Sequence, residues 1–165
     1  MLFPSNLRLI KGGLAFALVA ATGPAALAQN ATLNVTAEIR ASCEVTGGTL
    51  AFGAYTSAED ATADATFSYV CTEGTNITVT LDGGQNDEGG SRAMLRSGGE
   101  DLLPYGLYKD VNHGDPWGLS ENGIVVEGTS AETELVEVYG LIAAGENSPA
   151  GLYNDVVQIT LNIGP

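Results

Sequence analysis

Between Gln29 and Arg40, apolar and polar residues alternate without a break. Ala31, Leu33, Val35, Ala37 and Ile39 take the odd positions; Asn30, Thr32, Asn34, Thr36, Glu38 and Arg40 take the even ones. Successive side chains of a strand point to opposite faces, so this period predicts a β-strand over 29–40 with one face to bury. Helical winding would scatter the same five apolar side chains around the whole surface. The stretch is either the first strand of a sandwich or a strand held ready for another molecule.

What precedes it has the order of a secretory signal. Arg8 and Lys11 form a charged start, and residues 14–21 (Leu-Ala-Phe-Ala-Leu-Val-Ala-Ala) form an apolar run. Pro24 breaks that run, and Ala26-Leu27-Ala28 offers a small-x-small cleavage site before Gln29. The run is too short to span a bilayer. Residues 1–28 are therefore expected to be a removable signal peptide, and the product to be exported with no membrane insertion. Cleavage this early leaves the alternating strand at a free terminus, where most domains fray.

Removal of the leader takes away two of six basic residues and none of the twenty acidic ones, moving the net charge from −14 to −16. A surface that acidic repels nucleic acid and anionic lipid over a Debye length, which excludes both as partners. Disorder does not follow, because 44% hydrophobic and only 16% charged residues leave enough apolar surface for a core. Export also decides how Cys43 and Cys71 are read. Two cysteines in an oxidising compartment are expected to pair, closing a 28-residue separation worth about 3–4 kcal/mol on the chain-entropy estimate.

Six more strands are predicted at short spacing: 49–55, 66–71, 76–81, 103–109, 134–142 and 153–163. In the last, Val157, Ile159, Leu161 and Ile163 alternate with Gln158, Thr160 and Asn162. Glycine-rich turns separate them, as in Asp82-Gly83-Gly84-Gln85-Asn86-Asp87-Glu88-Gly89-Gly90. No stretch of helical period follows the leader. This pattern predicts an all-β, immunoglobulin-like β-sandwich as a single domain over 41–165.

The chemistry of an enzyme is missing. No two glycines flank a single residue, so no G-x-G-x-x-G loop exists, and no two glycines four positions apart have a serine midway, so no G-x-S-x-G elbow exists. His113 is the single imidazole and sits in a turn-like segment, Asp110-Val111-Asn112-His113-Gly114-Asp115-Pro116. Carboxylate pairs such as Glu59/Asp60 and Glu100/Asp101 lie among turn residues, where solvation is their ordinary role. Residues 82–90 lack the acid spacing of a calcium loop. No catalytic residue, metal site or cofactor is expected.

Several segments in order resemble the spore coat protein U domain family. They begin with the alternating strand, then Ala41-Ser42-Cys43-Glu44-Val45 and Leu50-Ala51-Phe52-Gly53-Ala54-Tyr55. Phe67-Ser68-Tyr69-Val70-Cys71-Thr72, Ile77-Thr78-Val79-Thr80-Leu81-Asp82 and Leu103-Pro104-Tyr105-Gly106-Leu107-Tyr108 follow. Trp117-Gly118, Val138-Tyr139-Gly140 and Pro149-Ala150-Gly151-Leu152-Tyr153-Asn154-Asp155 complete the set. The family includes major subunits of archaic chaperone–usher pili. The resemblance implies an incomplete sandwich finished by donor-strand complementation. It also implies identical or related pilus subunits, a periplasmic chaperone and an outer-membrane usher as partners. The place of action would be the cell surface, reached through the periplasm, with a role in adhesion or biofilm formation.

An incomplete sandwich exposes unpaired edges that an extended segment with alternate apolar side chains can fill. Ala31, Leu33, Val35, Ala37 and Ile39 have that form, which makes 29–40 the candidate donor strand. The competing reading is a self-complete secreted adhesin module that binds a carbohydrate or surface partner. Trp117, Tyr105 and Tyr108 would then form a stacking platform. On either reading the cysteines pair, so the intact mass of protein taken from the periplasm should rise by two alkyl groups only after reduction. Alkylation of both thiols without reductant would contradict this.

Overall fold

The computed structural model describes residues 29–87, 89–118 and 122–164. The predicted leader over 1–28 lies outside the described residues. The chain divides into two units, Met1–Ala37 and Glu38–Pro165. In the first, residues 29–37 form no strand and every side chain is exposed. The alternating face that the sequence marks for burial is buried nowhere in this single chain.

The second unit is built of strands, with no helix among the described residues. They run β1 (Cys43–Thr46), β2 (Ala61–Cys71), β3 (Ile77–Leu81), β4 (Ala93–Arg96) and β5 (Leu102–Pro104). Then come β6 (Gly106–Tyr108), β7 (Ile124–Val126), β8 (Glu134–Ile142), β9 (Tyr153–Asn154) and β10 (Ile159–Ile163). Three sheets result, in the orders β1-β2-β8-β6, β10-β3-β7 and β5-β4-β9. All the ladders are antiparallel.

The longest pairing, nine residues of β2 against β8, is the spine of the first sheet. Along β2, burial alternates with the sequence: Ala61, Ala63, Ala65, Phe67, Tyr69 and Cys71 are more enclosed than Thr62, Asp64 and Thr66. Phe67, Tyr69, Cys71, Leu107 and Val138 from this sheet meet Ile77, Val79 and Leu81 of β3 in one core. The aliphatic and Phe side chains among them contribute about 1.5–3 kcal/mol each on burial. Trp117, with no exposed surface, joins them from outside the strands. Its backbone N–H donates to Leu107 O at 2.8 Å, and its ring lies 5.9 Å from that of Phe67.

Strand 134–142 and the core of 76–81 form as the periodicity predicts; other stretches differ for physical reasons. The predicted strand over 49–55 makes no ladder. Leu50 and Phe52 still face inward, packed over Gly140, but Gly53 turns the backbone at φ +72° and nothing pairs with it. The span 103–109 breaks at Tyr105 into β5 and β6, which belong to different sheets. The span 153–163 breaks after Asn154, where Asp155 turns inward to a hydrogen-bond cluster. β2 begins five residues before the predicted 66. Strands β1, β4 and β7 are short and flanked by glycine or polar residues, so they carry little periodic signal.

Among the described glycines, Gly48 makes the closest approach to another stretch of backbone. A Cβ built there would stand 2.1 Å from the backbone oxygen of Thr66, which cannot move aside without disturbing β2. Gly48→Ala should therefore lower stability by about 1–3 kcal/mol in denaturant unfolding, the cost of overpacking. Gly47→Ala, with nothing within 4 Å, should leave the midpoint nearly unchanged.

Candidate functional site

Two strands that begin and end the second unit leave an edge free. β1 pairs with β2 alone and β10 with β3 alone among the described residues. Between the stretch that follows β1 and the stretch that leads into β10 lies an open cleft of about 410 Å³. Residues 48–50 and Phe52 line one side and residues 153–157 with Ile159 the other, while Ala65, Phe67, Leu81, Leu107 and Val138 also line it. The cleft thus reaches the main core directly. Val157, Ile159 and Leu161 stay half-buried against that core although their alternation suits full burial.

A polar cluster holds one wall. Asp155 Oδ2 accepts the Tyr105 hydroxyl at 2.7 Å, while its Oδ1 accepts Gln85 N at 2.9 Å and Asn86 Nδ2 at 3.1 Å. Asp82 Oδ1 accepts Gly84 N at 2.9 Å and Gln158 N at 2.8 Å. These side-chain bonds, with the backbone bond from Asp82 N to Gln158 O at 3.0 Å, fasten residues 155–158 to the turn after β3. Beneath, buried Arg92 donates to three carbonyls, Asp82 O, Trp117 O and Leu81 O, at 2.8–3.2 Å. Burial pulls its guanidinium below the ordinary arginine range, and Tyr105, Asp82, Asp87 and Asp155 oppose that pull. Burial, followed by the Asp155 hydrogen bond, raises the Tyr105 hydroxyl above the usual tyrosine value.

The residues singled out from sequence fall into two groups. Cys43 and Cys71 are joined in a disulfide across directly opposed positions of β1 and β2. Ala31, Leu33, Val35, Ala37 and Ile39 all lie exposed, Leu33, Val35 and Ile39 at 83–86%. The stacking platform of the adhesin reading does not form, because Trp117 is wholly buried. His113 is held at φ 55° with its ring edge-on to Tyr108 at 5.1 Å. Among the described residues no group of three or more metal-type ligands forms, and no helix is long and apolar enough to cross a membrane. Asp155, Tyr105 and Arg92 were not marked by sequence as a unit; they come together only through folding.

The family model of the spore coat protein U domain matches residues 29–160, which takes in both the alternating segment and the cleft. The chain belongs to the spore coat protein U domain family. Protein U of Myxococcus xanthus is 33% identical over 165 residues, covering 89% of this chain and 92% of its own. Among solved structures, a chain of the CsuC–CsuE chaperone–tip adhesion subunit pre-assembly complex, from archaic chaperone–usher Csu pili of Acinetobacter baumannii, shares the fold. Its TM-score is 0.58 at 20% identity, over 74% of this chain. The present chain spans 40% of the length of that one.

The Tyr105–Asp155 bond gives the spore coat U domain a testable alkaline limit. The fold favours the neutral phenol, and the unfolded chain releases that proton near pH 10. A raised folded value means the stabilisation is intact below that pH and is lost as pH rises beyond it. Thermal melts should fall above about pH 10, and Tyr105→Phe should flatten that fall while lowering the melting temperature at pH 7.

Proposed function

We propose that this chain is an exported structural subunit of a chaperone–usher-type surface fibre. It polymerises when residues 29–40 of one copy enter the cleft of the next. The observation that carries this reading is a matched pair of deficits. Five alternating apolar side chains have no burial of their own, and a cleft beside an unpaired strand edge opens onto the core. An added strand would pair the edge backbone and place Leu33, Val35 and Ile39 in apolar surroundings, at about 1.5–3 kcal/mol each. Ala31 and Ala37 would let the backbones approach closely.

Strand at one end and cleft elsewhere make the contact heterologous, so it propagates as a filament instead of closing as a dimer. Before assembly the same cleft needs a temporary occupant. A chaperone in the periplasm fits that need, and the shared fold with a chain from a chaperone–subunit complex supports it. An outer-membrane usher and identical or related subunits complete the set of partners, with residues 1–28 as the export signal. The cell surface is the site of action, and adhesion or biofilm formation the task of the fibre.

Adjacent positions of the donor strand provide the test. Val35→Asp would put a carboxylate into an apolar groove, at a cost on the order of several kcal/mol, whereas Thr36→Asp would face water. Electron microscopy should show fibres lost with Val35→Asp and kept with Thr36→Asp, while a chaperone pull-down recovers both subunits. Equal loss from both substitutions would refute the assigned facing; no loss from either would refute the donor role.

A further inference from the structure

The N-terminal segment joins the body of the domain at an unusually fastened root. Cys43, the first residue of β1, is bonded to Cys71, the last residue of β2. Just outside the bridge, Thr72 N donates to Ser42 O at 2.9 Å, and Ser42 N donates to Thr72 Oγ1 at 3.2 Å. The Thr72 hydroxyl also reaches Arg40 O at 3.4 Å.

Thr72 is itself held from behind. Its carbonyl accepts Thr75 N at 3.2 Å, the Thr75 hydroxyl, and the Thr129 hydroxyl at 3.2 Å. Thr75 and Thr129 are buried, at 5% and 3% exposure, and bond each other through Thr129 N and Thr75 O. Buried hydroxyls persist where they are hydrogen-bonded, and both of these point their bonds at one carbonyl. The root is thus tied through Thr72 to the turns before β3 and before β8.

This investment contrasts with β1 itself. It has four residues, three of them exposed, and one neighbouring strand. A pull on the chain at Ser42 would peel such an edge strand one hydrogen-bonded pair at a time. The disulfide stands at the first pair to be loaded, so the pull passes to β2, which is laddered on both sides.

We propose that the Cys43–Cys71 bridge, with Thr72 behind it, is a load-bearing anchor. It transfers fibre tension from the N-terminal strand into the central sheet and keeps residues 43–71 from extending. This rests on assembly through residues 29–40, since only then does tension enter at this point. The intact bridge withholds a 28-residue separation, which at ~3.5 Å per residue is roughly 100 Å of possible extension per subunit.

The test uses fibres assembled from the whole chain, because a cysteine-free variant could fail before assembly. Half are reduced with a phosphine and alkylated after assembly, reduction is checked by mass, and single fibres are stretched in optical tweezers. Reduced fibres should yield at less than half the force of oxidised ones, with added extension of up to roughly 100 Å per yielding subunit. Leu103→Ala fibres, left oxidised, control for lost stability, since Leu103 is buried on β5 outside the anchor. They should yield near the wild-type force without the added extension. Identical curves before and after reduction, or the same weakening in Leu103→Ala fibres, would overturn the anchor. If those same fibres are abolished by Val35→Asp, the assembly stands and only the anchor fails; fibres that survive Val35→Asp refute both.

Discussion

A strand edge with no neighbour is the constraint around which this domain is arranged. Backbone N–H and C=O groups at an edge invite a partner, and most sandwiches hide or blunt their edges. Among the described residues β1 and β10 each keep one edge free, and the cleft between the stretches that adjoin them opens onto Phe67, Leu107 and Val138 of the main core. The rest of the domain keeps that opening in shape. β2 and β8 form a rigid spine, Leu50 and Phe52 pack over Gly140 on one side, and the Asp155 cluster fixes the other.

The two walls are held by different physics. On the first, aliphatic and aromatic packing holds residues 48–52 where no ladder exists, with the Tyr55 hydroxyl bonded to Ala143 O at 2.8 Å. On the second, the carboxylates of Asp155 and Asp82 add bonds to the backbone amides of Gln85 and Gln158, fastening the stretch between β9 and β10. Charge adds a further demand. The basic groups among the described residues are engaged locally, Arg92 by carbonyls and Arg40, Arg96 and Lys109 by neighbouring carboxylates. The acidic excess is therefore left at the surface, where it favours solubility and opposes indiscriminate association.

Where sequence pattern and structure agree, the reason is burial with period two. β8 has a core face and a more exposed face, and in β3 Ile77, Val79 and Leu81 alternate into the core, so both periods are visible in the chain. The stretch 49–55 shows how the same signal misleads: Leu50 and Phe52 are inward as expected, yet packing alone holds them. Tyr105 and Asp155 each interrupt an alternating run, and their joining across fifty positions is a tertiary event that local pattern cannot carry. Arg92 looks in sequence like any surface base beside a turn; only the three carbonyls that surround it explain its burial. For 29–40 the alternation is the whole signal. Its regularity exceeds that of any strand in the domain, and no surface within residues 29–37 buries it.

Insertion of the strand into a neighbour's cleft is tested most directly by asking what Val35 touches in the assembled state. A photoreactive benzoylphenylalanine at position 35, in fibres grown from mixed isotope-labelled and unlabelled subunits, would be cross-linked and mapped by mass spectrometry. The account predicts cross-links to peptides carrying Leu50, Phe52, Val157 or Ile159, with label patterns showing that donor and acceptor come from different copies. Cross-links confined to one copy, or directed to surfaces away from the cleft, would contradict it.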